Sequence, residues 1–189
     1  MSRRSLDLIL SISAIVIAVV LVIAGILLAW GGRYANNTVT DQLSQQKISF
    51  PAASELPDNL KSYADQAVTT GSQAKAYSDL IAVHLSAVAD GQTYSEVSGQ
   101  WIASAEDPAQ RDATLGAERQ TLFMGETLRG LLLNAYAFSV FGTIAIIASW
   151  VSFVAAALLF LLGILGVVHS RRTAPSTAVF APEAATANA

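Results

Sequence analysis

Cysteine is absent from this 189-residue sequence, and histidine occurs only twice. Without thiols there can be no disulfide, no thiolate metal site and no thiol nucleophile. Charge is scarce as well. Only 13% of residues are Asp, Glu, Lys or Arg, against roughly 25% in ordinary soluble domains. The scarcity is concentrated in two places: none of these residues, nor His, falls between Leu8 and Gly32 or between Gly130 and Val168. There is no basic run of the kind that holds nucleic acid, and the formal net charge is −3. No repeat of fixed period is present.

What is there follows from those two uncharged blocks. A helix crossing the hydrocarbon core of a bilayer needs roughly 20 apolar residues, each rising ~1.5 Å. Both blocks meet that requirement, and mean hydropathy is +0.48. The first block exceeds the roughly 7–15 apolar residues of a signal peptide and lacks a good small-residue cleavage site, so it reads as an uncleaved span. Arg3 and Arg4 precede it, Arg171 and Arg172 follow the second block, and Arg33 alone stands just after the first. The basic bias places both termini in the cytoplasm of a plasma-membrane protein. Trp30 and Tyr34 fall where an outer interfacial belt belongs.

The second block holds 39 residues, too many for one crossing and too few for two plus a turn. A hairpin would also move Arg171 and Arg172 outside. The expected solution is one long helix whose last part crosses, with Trp150 near the outer interface. The expected fold class is an all-α membrane protein with two transmembrane helices flanking an outer-face helical bundle. Its parts are a cytoplasmic N-terminus (1–7), helix 1 (8–30), the outer domain (31–147), helix 2 (148–168) and a disordered cytoplasmic tail (169–189).

Within the outer domain, Asn36–Gln46 is polar and reads as a helix extension or a linker. Ile48–Pro51 reads as extended, because the residue before proline disfavours helix. Pro57 is suited to open a helix running to about Thr69. Gly71 or Ser72 opens another, to about Asp90, with Tyr77, Leu80, Ile81, His84, Leu85 and Val88 at helical spacing. Asp90-Gly91 turns the chain. Thr93-Tyr94-Ser95-Glu96 has the form of a capping box opening a short helix to about Ala103. Ala105–Ala113 reads as a loop, and from about Leu115 the chain is helical to Val168.

No reactive constellation emerges. His84 lies on the apolar stripe of its helix, which suits a buried histidine bonded to a carbonyl or carboxylate better than a ligand. A site with Asp79, Asp90 or Glu126 has no supporting spacing. Gly125 and Gly130 stand five apart, but Leu131-Leu132 follow where a phosphate-binding loop needs Lys-Ser/Thr. These glycines read as close helix packing. Glu126 and Arg129 can pair along the helix, a contact of about 0.2–0.5 kcal/mol, or Arg129 can reach an acidic group on a neighbouring helix. In the spans, Ala14/Ala18, Gly25/Ala29 and Ala148/Ser152/Ala156 have the small-xxx-small spacing that lets helices approach. They suit packing of the spans on each other or on a partner. No charge lies inside either span, which speaks against an ion or proton pathway.

Three stretches, FPAASELPDNLKSYADQAVTTGSQAKAY, IAVHLSAVADGQTYSEVSG and TLFMGETLRGLLLNAYAF, resemble a family of small actinobacterial membrane proteins with two spans and an outer helical domain. The resemblance covers roughly residues 5–172; Met124 stands where the family more usually has a basic residue. Members are often labelled aromatic ring-opening dioxygenases. Such enzymes hold iron through two histidines and a carboxylate facing one cavity, and the residues here do not supply that set. In size and topology the family is similar to accessory subunits of actinobacterial respiratory supercomplexes.

The leading expectation is therefore a non-enzymatic accessory or association subunit of a larger membrane complex, a respiratory supercomplex being the first candidate. It needs no cofactor, binds no nucleic acid, and leaves a homo-oligomer open. The alternative is an outer-face module for a lipid or cell-envelope ligand, with its site beside His84, Tyr94, Trp101, Glu126 and Arg129. Gly25, Ala29, Gly125, Gly130, Ser152 and Ala156 are the expected packing positions.

Overall fold

The computed structural model describes residues 3–172, so the tail expected to be disordered lies, from 173 onward, outside the described residues. The regular structure of the described chain is all helical. Its α-helices are α1 (Arg3–Gln46), α2 (Gly71–Val88), α3 (Tyr94–Ala103) and α4 (Ala113–Arg172). Short 3-10 turns occupy Ala53–Glu55, Asp58–Tyr63 and Pro108–Gln110. Among the described residues the only extended pairing is an isolated antiparallel bridge between Ser49 and Ala67. Asn36–Gln46 is thus helix rather than linker. The uncharged second block sits inside one unbroken helix of 60 residues.

α1 and α4 are long and apolar enough to cross a membrane. Only 17% and 11% of their most apolar windows are buried, whereas a soluble protein's core helix of that hydropathy would be hidden on most sides. The chain forms two compact units: Gly32–Ile144, and a helix pair joining the residues before Gly32 to those after Ile144.

In the helix pair, the buried positions of the contact face step by seven residues and carry small side chains. Ser11, Ala18 and Gly25 are buried on α1; Ser149, Ala156, Gly163 and Ser170 are buried on α4. A seven-residue step keeps one seam of a helix facing its neighbour, where a four-residue step would drift around it. The pairing is antiparallel: Gly25 lies against Phe153, and Gly163 against Ile15 and the Ser11 carbonyl. The seam's hydroxyls are satisfied within their own helices, Ser11 Oγ donating to the Asp7 carbonyl at 2.6 Å and Ser149 Oγ to that of Ile146 at 2.7 Å. Ala29 is also buried, while Ala14, Ala148 and Ser152 are half-buried. The small faces are therefore spent on each other, and the outward residues are large: Leu27, Trp150, Val151 and Leu158 are among the most exposed.

The central unit is built around the segment between α1 and α2. Phe50 and Val68 donate their amides to the Gln66 and Ile48 carbonyls, both at 2.9 Å, which closes residues 48–68 into a loop. The Phe50 ring stacks on Tyr63 and meets Tyr77 edge-on, each at 5.2 Å. This loop corrects the helix expected from Pro57 to Thr69. The chain makes only a 3-10 turn to Tyr63, then reverses at Asp65 (φ 59°) so that Val68 can return to Ile48. Val39, Leu43, Phe50, Leu60, Val68, Leu80 and Leu132 belong to the main core; Leu85, Ala89, Val97 and Leu122 form a second.

Two capping boxes set where α2 and α3 begin. Thr70 exchanges hydrogen bonds with Gln73 at the head of α2, and Thr93 with Glu96 at the head of α3. Asp112 caps α4, its Oδ1 accepting from the amides of Thr114 (2.7 Å) and Leu115 (3.0 Å).

Candidate functional site

The residues singled out from sequence do not converge. His84, expected on the buried stripe of α2, is exposed. The reason is where the 48–68 loop ends. It covers the Leu80 side of α2 early in the helix, but further along only the Leu85–Ala89 face turns inward, and Val83, His84 and Val88 stay outside. Asp79, a candidate companion for His84, instead pairs with Lys75 at 2.8 Å. That hydrogen bond and charge raise the Lys75 pKa above its ordinary value.

Arg129 binds both carboxylate oxygens of Glu126 at 2.8 Å and donates from Nε to the Ser78 carbonyl at 3.2 Å, fastening α4 to α2. Tyr94 meets Phe123 with ring centroids 5.9 Å apart. Trp101 takes the guanidinium groups of Arg111 and Arg119 over its ring, at 4.7 and 4.1 Å. Such stacking uses the negative face of the indole and holds the 104–112 connection to α4. Of the packing glycines, Gly125 lies against the Leu85 side chain, whereas Gly130 is exposed with open space where a Cβ would stand. Its expected close approach is corrected: among the described residues no neighbouring element covers that side of α4.

His169 lines a small recess of the helix pair with Asp7 and Ser11, so the two histidines belong to different units. Among the described residues no three His, Cys, Asp or Glu side chains group as metal ligands.

The site the structure offers is elsewhere. A cleft of about 880 Å³ opens in the central unit between α1, α2 and α4, within the roughly 300–1,000 Å³ of small-molecule sites. One wall is a ladder on α1, Tyr34, Thr38, Gln42 and Gln46, each four residues after the last. The facing wall on α4 is Leu128, Leu131, Leu132, Ala135 and Phe138, with Asn134 its one polar group. Tyr77 and Ile81 of α2 and Leu43 of α1 also line it. Val39 and Leu43 are buried in the core, and Leu128, Leu131 and Phe138 are exposed by 53%, 61% and 56%. None of His84, Tyr94, Trp101, Glu126 or Arg129 lines the cleft. Its signal was present in the sequence as the polar run Asn36–Gln46 and the apolar period of 128–138. Joining them required knowing that α1 and α4 lie side by side.

The class so defined is an all-helical protein with two helices long and apolar enough to span a membrane and a cleft of mixed polarity in its central unit. No family model, curated protein or solved structure matches it.

Proposed function

We propose that this chain is a non-enzymatic, membrane-anchored binding module. α1 and α4 cross the plasma membrane as an antiparallel pair, both termini are cytoplasmic, and the central unit stands on the outer face as a small helical bundle. The flanking arginines support the orientation, and the low burial of both helices supports insertion. The single observation that carries the binding reading is the cleft: concave, largely apolar, with a few amide and hydroxyl groups along one wall. Such a surface is what a small hydrophobic ligand needs, burial for most of it and a few fixed hydrogen bonds for orientation.

A second reading, an accessory subunit of a larger membrane complex such as a respiratory supercomplex, is supported by Phe123 and Phe141. They are 52% and 68% exposed, and neither lines the cleft. It no longer draws on the small-residue faces of the spans, which pack on each other.

One preparation tests both. The full chain, solubilised mildly and affinity-purified beside an unrelated two-span control, is analysed for organic-extractable compounds and for proteins. A hydrophobic compound retained in near-stoichiometric amount, and absent from the control, is the expected result. A stoichiometric set of membrane proteins with no such compound would favour the accessory reading. Recovery of the chain alone over several detergents would count against both.

A further inference from the structure

The lining of the cleft carries information about the chemistry of its occupant. Sixteen residues line it, and none is Asp, Glu, Lys, Arg or His. A charged group seated there would meet no counter-charge on either wall, so whatever hydration it lost would go uncompensated. The polar groups that are present are of another kind. Thr38, Gln42, Gln46 and Asn134 offer hydroxyl and carboxamide groups, and among the described residues none of these side chains is engaged in a hydrogen bond. Neutral donors and acceptors of this sort match hydroxyl, ester or carbonyl oxygens.

The two walls differ in character, and this fixes how an occupant lies. Leu128, Leu131, Ala135 and Phe138 make the α4 wall apolar apart from Asn134, while the α1 ladder opposite is polar at Thr38, Gln42 and Gln46. A hydrocarbon chain belongs on the first and oxygen functions on the second.

We infer that the cleft binds an uncharged long-chain amphiphile, its hydrocarbon laid along Leu128, Leu131 and Phe138 and its hydroxyl, ester or carbonyl oxygens on Thr38, Gln42 and Gln46. This rests on the reading of the cleft as a binding site and adds the ligand's class. A diacylglycerol is the model compound; a fatty acid or a phosphatidate of the same chains is the charged counterpart.

The experiment uses the full chain in phosphatidylcholine nanodiscs with a diacylglycerol carrying a photoreactive group in its acyl chain, the cross-linked residues being mapped by peptide mass spectrometry. Labelling within 128–138 is expected, with unlabelled diacylglycerol competing at least tenfold better than phosphatidate or fatty acid. Leu131→Trp, at an exposed position where the added ring fills the cleft without entering the core, is expected to abolish that labelling. Gln42→Leu is expected to weaken competition by about fivefold, the effect of losing one hydrogen bond. Circular dichroism of both variants checks that the helices persist. Labelling within 128–138 that phosphatidate or fatty acid competes equally well would overturn the ligand class and leave the binding site standing. Labelling confined to the spans, unchanged by Leu131→Trp, would overturn the site as well.

Discussion

Three glycines of α4 stand in different surroundings, and a single added methyl should separate them. At Gly142 a Cβ would come to 2.9 Å from the Gly32 carbonyl oxygen and 2.9 Å from Asn36 Oδ1. Asn36 is itself held by a hydrogen bond from Ser139 Oγ at 3.1 Å. A backbone carbonyl within a helix cannot step aside. At Gly125 the neighbour is the far end of Leu85, which can rotate, and at Gly130 there is nothing within 4 Å. Alanine gains up to ~1 kcal/mol over glycine in a helix interior, while overpacking costs about 1–3 kcal/mol. Gly130→Ala is therefore expected to raise the unfolding temperature and Gly142→Ala to lower it, with Gly125→Ala between them. Thermal unfolding of the purified full-length variants in one detergent decides it; equal stability of the Gly142 and Gly130 variants would refute the close approach.

At the level of elements, α3 depends on its first turn. Thr93 Oγ1 accepts from the Glu96 amide at 3.3 Å, and a Glu96 carboxylate oxygen accepts from the Thr93 amide at 2.7 Å and its hydroxyl at 2.8 Å. These bonds hold the ionised carboxylate and lower the Glu96 pKa, the Thr93 amide contributing most. A carboxylate whose pKa is depressed on folding gives stability that is present above its unfolded pKa and is lost as pH falls through the folded one. Opening of α3, followed by amide hydrogen exchange corrected for intrinsic rates, should increase as pH falls through that lowered pKa. Glu96→Gln keeps an acceptor and should lose the pH dependence, whereas Thr93→Ala, which removes both the cap on the Glu96 amide and a donor to its carboxylate, should destabilise α3 by about 1 kcal/mol above the lowered pKa and weaken the pH dependence. This box was legible in the sequence because its partners are three residues apart. So were the ends of α2 and the continuity of α4, which rest on local spacing and uncharged length. The heptad seam was half legible: its residues are small, as expected, but the buried positions step by seven rather than by four. His84 and the 57–69 segment were misread for a shared reason. Which side of a helix is covered depends on a loop closed by Phe50 and Val68, and that closure joins residues far apart in sequence.

On the scale of the whole molecule, the opening absence becomes an instrument. A chain without cysteine reports topology with no background, because each introduced thiol is the only one. Ser104 is exposed in the connection before α4, and its hydroxyl donates to the Trp101 carbonyl at 2.8 Å and accepts from the Asp112 amide at 2.9 Å. Those are surface bonds whose loss leaves the core untouched. Ser5 is exposed near the start of α1, before the uncharged block. With two crossings and the arginine pairs inside, Ser104→Cys should react with a membrane-impermeant maleimide in intact cells, and Ser5→Cys only after permeabilisation. A single crossing, or a second block folded back as a hairpin, moves one terminus to the other side. Labelling of a cysteine placed at Val168, near Arg171 and Arg172, then tests the second block, since in intact cells it is protected if the long helix crosses once and labelled if that block stays outside or folds back. The outcome also bears on the cleft. If the central unit proved cytoplasmic, the source of its amphiphile would change while the chemistry of the walls would not.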